Sequence, residues 1–253
     1  MLDLLKSMAV AFSTYSRIPM PIFEWTEENM RYSMCFFPLI GVAVGAAEIL
    51  VDSICRRLGV GELLRAVLLT IVPILITGGI HMDGFLDTVD ARRSYRSREE
   101  KLRILKDPNI GAFAAIYGIV LVAAEIGLFS EVKGTALVSL AFGYPVSRCL
   151  SGLSVIYFPK ARKTGSLRKM ADASASRCGR ILLAEFCAAA LGLLHWNPVD
   201  GVIILAAAVL TFLYYRKMAD RQFGGTTGDL AGYFLTLCEL FMLAAVALVA
   251  CLA

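Results

Sequence analysis

Charge is scarce in this sequence. Only 18% of its 253 residues are Asp, Glu, Lys or Arg, against about 25% in soluble domains. A net charge of +4 is too mild for a nucleic-acid binder, so no nucleic-acid partner is expected. None of the seven cysteines forms a Cys-x-x-Cys pair, and most sit in apolar blocks. That argues against zinc and disulfide frameworks and leaves them as packing residues. No Asn-x-Ser/Thr acceptor occurs, and there is no defensible internal repeat or low-complexity linker. The chain therefore reads as one domain over residues 1–253. The first sixteen residues carry Asp3, Lys6 and only a short apolar run, so no secretory leader is expected.

What the chain has in abundance is apolar length. Hydrophobic residues make up 58%, and mean hydropathy is +0.68. They fall into blocks, and a bilayer-spanning helix needs ~20 such residues. Seven spans are expected, at about 36–55, 62–80, 110–129, 135–157, 180–196, 201–215 and 231–252, the sixth being short. The fold class is an all-α polytopic membrane bundle. The loops divide sharply: twenty Lys and Arg fall in the N-terminal stretch and in loops 81–109, 158–180 and 216–230, while Arg56, Arg57, Arg65 and Lys133 fall on the other side. Positive loops face the cytoplasm, so the N-terminus is expected inside and the C-terminus outside. Residues 91–107 read as a basic amphipathic helix at the surface, next to anionic lipid.

The main chemical signal is Thr77-Gly78-Gly79-Ile80-His81-Met82-Asp83-Gly84-Phe85-Leu86-Asp87-Thr88-Val89-Asp90, at the cytoplasmic end of the second span. Asp83, Asp87 and Asp90 stand at i, i+4 and i+7, within about 60° of arc on one helix face. Two readings fit. Either a solvated acidic face pairs with Arg92, Arg93 or Arg96, or a divalent cation turns the mutual repulsion into coordination. Oxygen-only ligands favour Mg²⁺, or Mn²⁺ in its place, with substrate phosphate and water completing the shell. His81 lies two residues before Asp83 and on a regular helix points away from it. Base, ligand and loop hydrogen-bonder all remain open for it.

A second signal, Phe223-Gly224-Gly225-Thr226-Thr227-Gly228-Asp229, opens the last span. Its glycines would let backbone N–H groups approach an anion, and Asp229 could cap the helix or ligate a metal. It is neither a Walker A loop nor a dinucleotide fingerprint. Lys106-Asp107-Pro108-Asn109-Ile110-Gly111 opens the third span and offers Lys106 to a phosphate, or simply starts a helix. Arg148 lies inside the fourth span and requires a partner, with Glu48, Glu125, Glu185 and Glu239 as candidates. Ser16-Arg17-Ile18-Pro19-Met20-Pro21 is an extended segment beside the same face. His195 and Trp196 read as an interfacial anchor at the opposite side.

At these residues, together with Phe37-Pro38-Leu39-Ile40-Gly41 and Ser147-Arg148, the sequence resembles the cobalamin synthases, or adenosylcobinamide-GDP ribazoletransferases. The likeness covers essentially the whole chain. It departs at Ala91, where the family usually has Gly, and at Ala112-Phe113-Ala114, where a final Gly is common. The resemblance implies a membrane enzyme of the bacterial or archaeal inner membrane with its site facing the cytoplasm. It would join adenosylcobinamide-GDP to α-ribazole or its 5′-phosphate with loss of GMP, using Mg²⁺. By the same carry-over Asp83, Asp87, Asp90 and Asp229 hold metal and diphosphate; His81 is a family motif residue whose role stays open, and His81, Asp83 and Asp87 are the candidate catalytic set. Arg17, Lys106, Arg148, Gly225, Thr227 and Gly228 contact phosphate or corrinoid. The alternatives are a CDP-alcohol phosphotransferase, whose D-x-x-D-G element is not matched because Ile80 stands at the first position, and a secondary transporter, whose carboxylates belong near the midplane.

Overall fold

The structure is a computed structural model that describes residues 2–252. Twelve α-helices account for its architecture, and the described residues contain no β-strand. Helix α1 (Leu2–Tyr15), the short α2 (Glu27–Met30) and a 3₁₀ turn lead into α3 (Phe37–Arg57). Then come α4 (Glu62–Thr77), α5 (Ile80–Arg93), α6 (Arg98–Ile104), α7 (Ala112–Glu131) and α8 (Thr135–Tyr157). The chain closes with α9 (Ser166–Ala173), α10 (Cys178–Trp196), α11 (Pro198–Phe223) and α12 (Gly228–Leu252).

Six of these helices are long and apolar enough to cross a bilayer, and the bent pair α4–α5 counts as a seventh if its two helices are taken as one broken span. The expected spans match α3, α4, α7, α8, α10, α11 and α12. The sixth is longer than expected, because α11 carries its helix 8 residues past 215, to Phe223. Large apolar side chains face outward on several of these helices, among them Ile119, Leu75 and Leu210, each about two-thirds exposed or more. In water each would forfeit about 2 kcal/mol of burial; in lipid the exposure carries no such loss.

Helix α8 is the axis of the bundle. It is buried along most of its length and packs against α3, α10, α11 and α12. The end of the bundle at Trp196 is clamped by charge. Asp52 of α3 takes Arg65 Nε at 2.5 Å and Arg56 Nε at 2.7 Å. Arg65 also donates to Glu62 and to the Phe129 and Val132 carbonyls at the end of α7. Three helix ends are thereby joined through one buried guanidinium. Trp196 donates to the Thr135 carbonyl at the same end, at 3.4 Å.

At the other end, α4 stops where Gly78 and Gly79 adopt left-handed φ of +66° and +80°. Two such residues in succession end the helix and restart it as α5, turned by 94°. Two expectations change here. The aspartate motif forms a separate helix beyond the corner rather than the tip of the second span. The stretch 91–107 is two helices rather than one, because Tyr95 takes φ +53° and Ser97 starts α6 anew with a capping box.

Candidate active site at the carboxylate end

Helix α5 lies across the start of α12, and the closeness of that crossing follows from glycine. A Cβ on Gly84 would stand 2.6 Å from the Asp229 carbonyl oxygen, and one on Gly232 would meet His81 at 3.2 Å. Only bare backbone allows this approach. It sets Asp83 and Asp229 into one cavity of about 450 Å³, lined also by His81, Gly228, Trp25 and Met170. The Asp-Gly of the first motif and the Gly-Asp of the last, far apart in sequence, are thus two halves of one site.

Asp87 sits one turn on, half-buried. The charges of Asp83, Asp229 and Asp90 all act on it. All four expected carboxylates are therefore near one another on α5 and the start of α12. Their environments differ. Asp90 accepts from Gly111 N at 2.5 Å and from Ala114 N at 2.8 Å, so both its oxygens cap α7. A side chain on Gly111 would run into that carboxylate. Gly111, noted in sequence only as part of a helix-opening turn, is the seat of Asp90.

The glycine loop is held by a strap of chain that sequence reading treated as topology-setting charge. Thr226 N donates to Pro159 O at 2.7 Å and Ala161 N to Thr226 O at 3.0 Å, a single parallel bridge. Thr227 Oγ1 accepts from Leu230 N at 3.2 Å and caps α12. Gly225 lies against the strap at Pro159. Lys160, Arg162 and Arg168 of the strap line a pocket with Thr226, Thr227, Gly228 and Asp229. Arg162 reaches Asp229 at 3.7 Å. Burial, with Arg168 adding to it, holds Lys160 below the usual lysine range. Three cations gather at this helix N-terminus, and one of them, Arg168, is paired with Asp172 at 2.7 Å. Their sequence signal was a basic loop, indistinguishable from any other.

Arg17 comes to the same end. Its backbone N–H donates to Ile76 O at 2.7 Å, its side chain lies over Gly78, and it lines a cavity with Asp83. Two other expected residues are placed apart. Lys106 is exposed on the turn before α7 and lines none of the cavities around Asp83. Arg148 is wholly buried inside the bundle, where its ion-pair partner is Glu239, one of the four expected. Its Nη1 also donates to Ser147 and Tyr144, while Nε and Nη2 have no partner. His81 is buried with Nε2 unpartnered, between the Asp83 cavity and a small polar one holding Glu125, Tyr144 and Glu239.

The donor set can be tested against a divalent ion. Among the described residues no three His, Cys, Asp or Glu side chains enclose an ion by themselves. Mg²⁺ rarely asks for that: it is held by one or two carboxylates, with phosphate oxygens and water filling its octahedron. Asp83 and Asp229 on one cavity, with Asp87 beside them and an anion pocket adjoining, fit that mode.

The family model described as cobalamin-5-phosphate synthase matches residues 7–247. A Lachnoclostridium phytofermentans protein named adenosylcobinamide-GDP ribazoletransferase is 45% identical over 237 residues, 93% of this chain and 91% of its own. Proteins of the same name from Clostridium perfringens and Chlorobaculum tepidum are 31% and 30% identical, each over 90% or more of both chains. No solved structure matches. Neither the CDP-alcohol phosphotransferase nor the transporter reading gains a relative among these proteins. With its motifs in order, its two aspartate elements crossing at Gly84 and its likeness running nearly end to end, the chain belongs to the cobalamin-5-phosphate synthase family.

Proposed function

We propose that this protein joins adenosylcobinamide-GDP to α-ribazole or its 5′-phosphate and releases GMP. The observation that carries the reading is the meeting of Asp83 and Asp229 in one cavity beside the Lys160–Arg162–Arg168 pocket. A ribose hydroxyl oxygen bonds to the phosphorus on the corrinoid side chain, the bridging P–O bond breaks, and GMP leaves with the electron pair. The strap cations and the start of α12 hold the diphosphate and stabilise charge on the departing phosphate. Arg17 approaches the phosphates from the α4–α5 corner. His81, whose Nε2 has no partner, is the acceptor for the hydroxyl proton. Asp83, Asp87 and Asp229 would hold Mg²⁺, which when bound neutralises developing phosphoryl charge. Asp90 orders the same helix through its cap on α7.

The reaction is assigned to the cytoplasmic face of a bacterial inner membrane. Support comes from the concentration of Lys and Arg in the loops of the Asp83 end, against four at the Arg65 end. The test is an assay of purified protein in liposomes with both ribazole forms. GMP release with a joined corrinoid, present with Mg²⁺ and absent with EDTA, is the expected result. Folded protein giving no product under any divalent metal would overturn the reading.

A further inference from the structure

Helix α5 has a second face. Phe85, Val89 and Arg92 lie about 180–240° around the helix from Asp83, at ~100° per residue. They do not line the carboxylate cavity. Instead they form the wall of a separate groove of about 530 Å³ between α5, α6, α7 and α12. At its mouth stand Arg92, Arg93 and Lys101. None of the three makes an ion pair among the described residues. Arg93 lies 4.8 Å from the Tyr117 ring, Arg92 lies 5.4 Å from the Tyr233 ring, and Lys101 donates to Gln222 at 3.2 Å. Burial and the nearby Arg92 hold Lys101 below the usual lysine range. Three converging cations without an anion are a charge imbalance inside a preformed cleft.

The floor of the groove is apolar and runs along two spanning helices, through Val120, Leu121 and Ala124 of α7 and Leu237 and Leu240 of α12. Ala124 is twelve residues beyond Ala112, which opens α7, so the floor descends about 18 Å from the helix start. Val120 is more than half exposed, so the groove is open on its lipid side. A cationic mouth above a long apolar trough, at the edge of a bilayer, matches a molecule with an anionic phosphate head and an extended hydrocarbon tail. A nucleoside phosphate would leave the lower trough empty.

We propose that this groove is a binding site for an anionic glycerophospholipid of the surrounding leaflet. The phosphodiester meets Arg92, Arg93 and Lys101, and one acyl chain lies between α7 and α12. Such basic recesses between membrane helices are suited to anionic headgroups. The bound lipid would brace α5 from behind, on the face opposite Asp83.

The experiment is native mass spectrometry of the full chain released from nanodiscs of equal phosphatidylglycerol and phosphatidylcholine, with the retained lipid counted. Wild type is expected to keep phosphatidylglycerol preferentially. The double variant R93Q/K101Q should lose that preference by about tenfold or more. The variant R96Q/R103Q removes the same charge from exposed positions outside the groove and should retain it. Ala124→Phe fills the trough without touching charge and should also release the lipid, with monodisperse elution checking that it folds. Equal loss in both double variants would mean diffuse surface charge and overturn the site. Undiminished retention by folded Ala124→Phe would overturn the seated tail. Displacement of the lipid by α-ribazole 5′-phosphate would overturn it as well, and reassign the groove to substrate.

Discussion

Two clusters of charged side chains stand at opposite ends of the bundle, and they are built on opposite principles. At the Arg65 end the charges are closed on one another. Asp52, Glu62, Arg56, Arg65 and Lys133 answer each other in ion pairs, and Arg65 fills its remaining capacity with two carbonyls of the α7 terminus. At the Asp83 end they are left open. Asp83, Asp87 and Asp229 crowd together, the nearest cation is 3.7 Å from Asp229, and His81 Nε2 has no partner. A closed cluster has nothing left to bind and serves as a rivet. An open one carries unfavourable repulsion that only a ligand relieves. Of the two, we propose the open end as the working end.

Asp83→Asn should lower GMP release by about 10³-fold, since the amide loses the charge that would hold the ion. The thermal midpoint should stay where it is. At the closed end the pattern inverts. Asp52→Ala strands Arg65, only 2% exposed, and should destabilise the fold by about 3 kcal/mol, seen as a lower thermal midpoint. Turnover per folded molecule should be unchanged. Gly84→Ala tests the crossing that joins the two halves of the open end. Its Cβ would press on the Asp229 carbonyl and should cost about 2 kcal/mol in stability, with activity falling as Asp83 and Asp229 separate. The smallest effect is expected at Gly111→Ala. It displaces Asp90 from the α7 cap for about 1 kcal/mol, measurable as faster amide exchange at the start of α7.

The sequence was most informative where a property repeats over many residues. The long helices were legible because a row of ~20 apolar residues has the length of a bilayer and little else in a protein does. The two adjacent glycines of the corner stand in the sequence, but the 94° angle they allow between α4 and α5 does not. The shared face of Asp83, Asp87 and Asp90 was legible from helical spacing. The difference between them was not: Asp90 is set apart only by the arrival of Gly111 and Ala114 from another helix. Lys160, Arg162 and Arg168 were hidden for a related reason, because a basic loop reads alike whether it orients the chain or seats a phosphate. Arg65 stood in the sequence as one of the few charges of its side. Its one local partner, Glu62, is exposed, and the partners that bury it, Asp52, Phe129 and Val132, come from other helices.

We propose that a divalent cation and substrate phosphate complete the surplus of carboxylates at the Asp83 end. The most direct test is the Mg²⁺ dependence of GMP release, measured side by side for wild type, Asp87→Asn and Asp52→Asn in liposomes. Asp87→Asn is expected to need about tenfold more Mg²⁺ for half-maximal rate, while Asp52→Asn follows the wild-type curve. Release that persists in EDTA, or a Mg²⁺ requirement that Asp87→Asn leaves untouched, would contradict it.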